Sequence, residues 1–216
     1  MLSQPDYMVL YEAVKIYKPS YILECGTGMS TFVIAQSIKD NLLPKGKSCK
    51  LISMESEKSW YLHQKSIIKN EEFGDFVEII YSPIALFGYS FIRGTIYKDI
   101  PKYPYDLVFV DGPNQGNNKT GRMCNMDFIK IIENSENPIT CIIDGRVHTS
   151  LAYTQIFGGG GVVKWYPSWD LTIIKNVTKY DMILSRGLND SNDKNKIKKE
   201  LLMPSRGFKT PIVNLK

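Results

Sequence analysis

Residues 21–35 read YILECGTGMSTFVIA. An apolar run from Tyr21 to Cys25 carries an acid at Glu24 and passes straight into Gly26 and Gly28. A second apolar run then opens at Met29. The first run is short and uninterrupted, as befits a strand covered on both faces. The second, reaching to about Asp40, has the length and spacing of a helix. A strand, a glycine-rich turn and a helix in that order form a familiar nucleotide-binding arrangement. The glycines let main chain come close to a ligand, and the helix start offers unpaired N–H groups.

The same alternation continues on either side. Residues 6–18 have apolar positions at Met8, Val9, Tyr11, Val14 and Ile16, which predicts an amphipathic helix before the first strand. CKLISME, DFVEIIY, YDLVFVDG and ITCIIDG read as the second to fifth strands. SEKSWYLHQKSIIKN, MDFIKIIENS and SLAYTQIF read as helices between and after them. Residues 82–104, rich in aromatics, are the least regular, and a loop with a short helix is expected there. GGGG at 158–161 joins the last helix to GVVKWYPSWDLTIIK, two antiparallel strands about the turn YPSWD. The whole predicts a doubly wound α/β fold: a mostly parallel sheet of about seven strands, helices on both faces, and an antiparallel strand near the C-terminal end.

In an open α/β sheet, ligands bind beyond the carboxyl ends of the strands, where strand order reverses. Glu24, Glu55, Ser82, Asp111 and Asp144 close the five strands in turn. Helix capping accounts for one or two such acids. Four carboxylates at one edge repel one another unless something occupies the space between them. In the first turn, Gly26-Thr27-Gly28-Met29-Ser30-Thr31 has threonine where a dinucleotide fingerprint places its third glycine, which counts against a nicotinamide dehydrogenase.

ECGTGMST, Glu55 ending the second strand, and YDLVFVDGP together resemble the class I S-adenosylmethionine-dependent methyltransferases, over roughly residues 8–177. The resemblance implies S-adenosyl-L-methionine as cofactor. Glu24 would anchor the turn or reach the amino-acid end of the cofactor. Gly26, Thr27, Gly28 and Ser30 would lie along its methionine and ribose portions. Glu55 would accept from both ribose hydroxyls, a carboxylate having two acceptor oxygens, although a cap for the following helix is its other reading. Ser56 and Ser82 would lie near the adenine, where many family members carry an acid instead of Tyr81-Ser82-Pro83. Asp111 resembles the strand-four acid of small-molecule O-methyltransferases. In the catechol type this acid and an Asp-Asn pair after strand five hold magnesium; here strand five ends Asp144-Gly145, so the asparagine is missing. A metal on Asp111 and Asp144 stays open. Arg146 and His148 follow closely, and His148 is the histidine placed as a general base; His63 is expected on a helix surface. Arg122, in DGPNQGNNKTGRM, follows a polar loop that could close over an acceptor. That segment is similar to methyltransferases acting on sugars or polysaccharides.

Composition narrows the partners. The chain has 216 residues, 43% hydrophobic, within the range of one α/β domain. The net charge of +5 lies wholly in residues 186–216, with eight basic and three acidic residues, while residues 1–185 balance at nineteen of each. A methyltransferase domain over 1–185 and a basic extension over 186–216, with NDKNKIKKELL as a solvated helix, are therefore expected. The uncharged body argues against nucleic acid, as does Asp111-Gly112-Pro113-Asn114 in place of the (N/D)-P-P-(Y/F) motif of base-methylating enzymes. No apolar run approaches a membrane span. Four cysteines without CxxC spacing fit a reduced, cytoplasmic setting. The function expected is methyl transfer to a hydroxyl of a small molecule or sugar. The alternatives are a cofactor-binding protein of the same fold without turnover, and a nucleic-acid methyltransferase. Homo-oligomerisation is left open.

Overall fold

The computed structural model describes residues 4–113, 123–158 and 161–184. Helix α1 (Gln4–Tyr17) precedes β1 (Tyr21–Cys25), α2 (Met29–Asn41), β2 (Lys50–Glu55), α3 (Lys58–Asn70) and β3 (Val77–Tyr81). A hairpin follows, β4 (Ile84–Tyr89) and β5 (Ile92–Tyr97), then β6 (Leu107–Val110) and the two-residue β7 (Cys124–Asn125). The chain continues through α4 (Asp127–Glu133), β8 (Ile139–Asp144), α5 (Val147–Phe157), β9 (Val163–Tyr166) and β10 (Leu171–Val177).

Seven strands form the main sheet in the order β3-β2-β1-β6-β8-β10-β9. The first five are parallel; β10 runs antiparallel to both β8 and β9. The doubly wound reading therefore holds, with the fourth and fifth expected strands appearing as β6 and β8. Strand order reverses between β1 and β6, which defines the cleft beyond their carboxyl ends.

Both faces of the sheet are covered, and period-two alternation splits each strand between two cores. Ile22, Leu51 and Phe109 join Leu10, Val14, Ile34 and Ile38 of α1 and α2. Leu23, Ile52, Val108 and Val110 join Phe128, Ile132, Tyr153 and Ile156 of α4 and α5. Most residues buried on either face are apolar, hence the long apolar runs in the sequence.

The region after β3 corrects the expectation of a loop with a short helix. Residues 84–97 form an antiparallel hairpin, joined by β7 into a second, three-stranded sheet. Tyr89 pairs with Ile92 across a two-residue turn. Of the turn residues, Ser90 takes the positive φ of 53° that glycine or asparagine more often supplies. The four cysteines are free and buried. No helix among the described residues is long and apolar enough to cross a membrane. The basic segment 186–216 and the loop carrying Arg122 lie outside the described residues.

Candidate active site at the strand ends

Glu24, at the end of β1, is fully buried, and hydroxyls surround its carboxylate. Ser30 donates to Oε1 at 2.6 Å, and Thr31 and Ser53 donate to Oε2 at 2.6 and 2.5 Å. Thr31 Oγ1 in turn accepts from the Gly28 N–H at 3.0 Å. Burial pushes Glu24 up to about 7, with the three hydroxyls pulling the other way. Of its two expected roles the geometry favours the anchor: Glu24 and Ser30 tie the first turn of α2 to β1 and β2.

Gly26 and Gly28 differ in kind. Gly26 sits at φ 99°, and a Cβ there would lie 2.7 Å from Gly112 N and 2.8 Å from its Cα. A Cβ on Gly112 would lie 2.5 Å from Gly26 Cα and 2.7 Å from the Tyr97 hydroxyl. The turn after β1 and the turn after β6 therefore cross in main-chain contact at the switch point. Asp111 N and Gly112 N both donate to Cys25 O. Gly28 has extended backbone and open space where a side chain would project. It is the glycine whose missing side chain leaves room for a ligand.

Glu55, at the end of β2, meets this turn: Thr27 Oγ1 donates to Glu55 Oε2 at 2.9 Å. Its other oxygen accepts from the N–H groups of Ser56 and Glu57, both at 2.7 Å, just ahead of α3. Capping and facing the cleft are thus divided between the two oxygens of one carboxylate. Trp60 of α3 adds a brace, its indole N–H donating to Thr27 O at 2.9 Å. In the sequence Trp60 reads only as an apolar helix position. Ser82 adjoins Glu55 through its own N–H, donated to Glu55 O at 2.8 Å. Its side chain is buried, accepting from Asp99 N at 2.9 Å and donating to Pro83 O, so it fastens the hairpin to β3. An adenine contact through the Ser82 hydroxyl would have to break that fastening.

At the ends of β6 and β8, Asp111 and Asp144 lie within hydrogen-bonding reach of one another. Arg146 stands beside them, Nη2 to Asp111 Oδ1 at 3.6 Å, with the arginine side chain 10% exposed and the aspartate 40%. Arg146 Nη1 also donates to Pro113 O at 2.7 Å. Burial raises the Asp111 carboxyl above its ordinary value, while the Arg146 charge works against it. His148, on the first turn of α5, is exposed. Of the four expected catalytic residues the structure brings Asp111, Asp144 and Arg146 together, while His148 stands exposed at the start of α5.

The donor set does not make a magnesium site. With the Arg146 guanidinium 3.6 Å from Asp111, part of the charge of the two carboxyls is already countered, and two carboxyls fall short of the octahedron of oxygen ligands that magnesium takes. No group of three or more His, Cys, Asp or Glu residues suited to a metal occurs among the described residues.

A buried network below the cleft escaped the sequence reading. Asn125 Nδ2 donates to Gly112 O at 2.9 Å and to Asp127 Oδ2 at 2.6 Å, and Asn125 Oδ1 accepts from Asp127 N at 2.9 Å. Asp127 Oδ1 accepts from Tyr97 N at 2.8 Å. Burial pushes Asp127 up to about 7. The one signal was an Asn and an Asp, in CNMD, immediately before a helix.

Strand order, the crossed glycine turns and the acids at the strand ends define the class: a doubly wound fold of the methyltransferase type, with its cleft at the β1–β6 switch point. The sequence matches no protein-family model, and no curated protein matches it significantly. Solved structures do share the fold. An O-methyltransferase of Streptomyces achromogenes, TomG, in complex with SAM, is 15% identical, with 82% of each chain covered and a TM-score of 0.52. An O-methyltransferase from Bacillus cereus in complex with SAH is 17% identical, covering 81% of this chain and 82% of its own, TM-score 0.51. A methyltransferase-like protein from Silicibacter pomeroyi covers 94% of this chain and 97% of its own, at 14% identity and a TM-score of 0.51.

Proposed function

We infer that the protein is an S-adenosylmethionine-dependent methyltransferase that methylates a hydroxyl of a small molecule or sugar. The observation that carries this reading is the contact of Thr27 with Glu55, which brings the glycine turn and the strand-two carboxylate to one hollow. The SAM bound in one structure of this fold and the SAH bound in another support the cofactor assignment.

Residues fit the cofactor at three places. Gly28 leaves main chain open to it, Glu55 Oε2 is poised for a ribose hydroxyl, and Glu24 with Ser30 and Thr31 holds the turn rigid beneath. When bound, S-adenosylmethionine supplies a methyl group on a positively charged sulfur. The chain then has two tasks, to align the acceptor oxygen and to take its proton. The Asp111–Asp144 pair is the base: Asp111 is accessible, and its raised pKa brings it nearer to a hydroxyl's than an ordinary aspartate's. Arg146 fixes Asp111 and the Pro113 carbonyl together.

A candidate acceptor surface adjoins Arg146. A groove of about 260 Å³ begins at Arg146 and Asp170, with Val147, Leu151 and Trp165 as apolar walls and the Ser150 and Thr172 hydroxyls among its lining. Its mixed surface suits an acceptor with both apolar and hydroxyl-bearing parts.

The test is a thermal-shift titration with S-adenosylhomocysteine. The wild-type protein is expected to gain several degrees at saturation, by mass action on the native state. Glu55→Ala should lower the affinity by about tenfold or more, the order expected for charge-assisted hydrogen bonds lost. No shift with either cofactor form would sink the assignment.

A further inference from the structure

Among the described residues three buried side-chain atoms have no hydrogen-bond partner: Gln64 Oε1, Tyr97 Oη and Arg146 Nε. Two of the three border the same short segment, Asp111–Pro113. Arg146 holds the Pro113 carbonyl through Nη1. The Tyr97 hydroxyl lies 2.7 Å from where a Gly112 Cβ would stand, beside the crossing with Gly26. A buried hydroxyl without a partner is uncommon and calls for an explanation.

Everything else about Tyr97 is held in place. It ends β5, is fully buried, and donates its backbone N–H to Asp127. Asp127 fixes the Asn125 amide by bonding both of its ends, and this orientation directs an amide hydrogen to Gly112 O. Tyr97 is therefore tied to Gly112 twice, through the Asp127–Asn125 relay to its carbonyl and by its hydroxyl standing where a Gly112 side chain would project. A residue so constrained keeps its hydroxyl at the crossing. That hydroxyl can donate and accept.

We propose that Tyr97 is a positioning residue for the methyl donor: its buried hydroxyl, which no protein group pairs, takes up a hydrogen bond at the Gly26–Gly112 crossing when the donor occupies the Gly26–Gly28 turn. The idea rests on the cofactor assignment above and extends it to a residue outside the strand ends. Part of the binding energy then comes from satisfying a buried hydroxyl that the protein itself does not pair. The hydroxyl works against the ligand-free state and for the bound one.

Those opposite signs make the test. Tyr97→Phe removes the hydroxyl and keeps the ring. The ligand-free variant is expected to melt at the wild-type temperature or above it, while its affinity for S-adenosylhomocysteine falls by about five- to thirty-fold, the range for one hydrogen bond. Tyr105→Phe is the control: its hydroxyl is already bonded to Pro101 O, so it should lose stability and keep its affinity. Affinity within twofold of wild type in Tyr97→Phe overturns the proposal. So does a lower ligand-free melting temperature or a failure to fold, since the hydroxyl would then be an ordinary structural group. Wild-type protein that does not bind the probe at all would count against the cofactor assignment itself, a different result from binding that ignores Tyr97.

Discussion

Gly26, Gly28 and Gly112 show how one residue type serves two purposes in a single site. Gly26 and Gly112 are required by each other, because added carbons would meet main chain, which cannot rotate away. Gly112→Ala should therefore cost about 1–3 kcal/mol or more in overpacking and displace the donor turn with it. Gly28→Ala meets nothing within 4 Å, and its extended backbone suits alanine. The ligand-free protein should tolerate that change, whereas S-adenosylhomocysteine should bind at least several-fold more weakly because the new methyl takes up the room left for a ligand. Urea unfolding and a ligand titration on the two variants separate these effects. Equal loss of stability in both would show that Gly28 is structural as well. The sequence could not rank the glycines, since the partner of Gly26 lies 86 residues away.

Elements differed in how openly they announced themselves. β1, β2, β6 and β8 were legible because burial on both faces demands unbroken apolar runs, and the acid ending each run marked the cleft. The hairpin β4–β5 was not. Its turn uses Ser90 and Phe91 instead of an Asn-Gly or Asp-Gly pair, and Leu86, 77% exposed, blurs the alternation that would signal a half-buried strand. β7 has two residues and no periodicity to read, yet it carries Asn125. The strand-end half of the candidate site was therefore visible as pattern, while its support from the small sheet depended on contacts between distant segments. That support has a measurable weight. Asn125→Ala would leave the buried Gly112 carbonyl and one Asp127 oxygen each short of a donor and the Asp127 N–H short of an acceptor, at about 1–3 kcal/mol per group. Chemical denaturation should show a loss within the sum of those three costs. An unchanged midpoint would mean that the relay to Gly112 contributes nothing to the native state.

At the scale of the whole molecule, the notable feature is two carboxyl groups sealed on opposite sides of the glycine crossing. Glu24 anchors the donor turn and Asp127 anchors the Gly112 turn; both are fully buried, and burial pushes both up to about 7. Exposed carboxyls in the unfolded chain titrate near their ordinary values of 4.5 and 3.8. Between those values and about pH 7 the native state holds protons that the unfolded state has released. By linkage, stability then falls as pH rises through this window and levels off above it. The contribution is fully present below the unfolded pKa values and lost above the folded ones. Each group spans roughly three pH units, so the change is on the order of a few kcal/mol per group. Urea midpoints of the ligand-free protein should thus be higher at pH 5.5 than at pH 8, and Glu24→Gln or Asp127→Asn should each flatten the difference. A midpoint that instead rises toward pH 8 would show that the hydroxyls around Glu24 and the amide donors around Asp127 outweigh their burial and keep both groups ionised. The glycine crossing would then be gripped by two fixed negative charges at neutral pH.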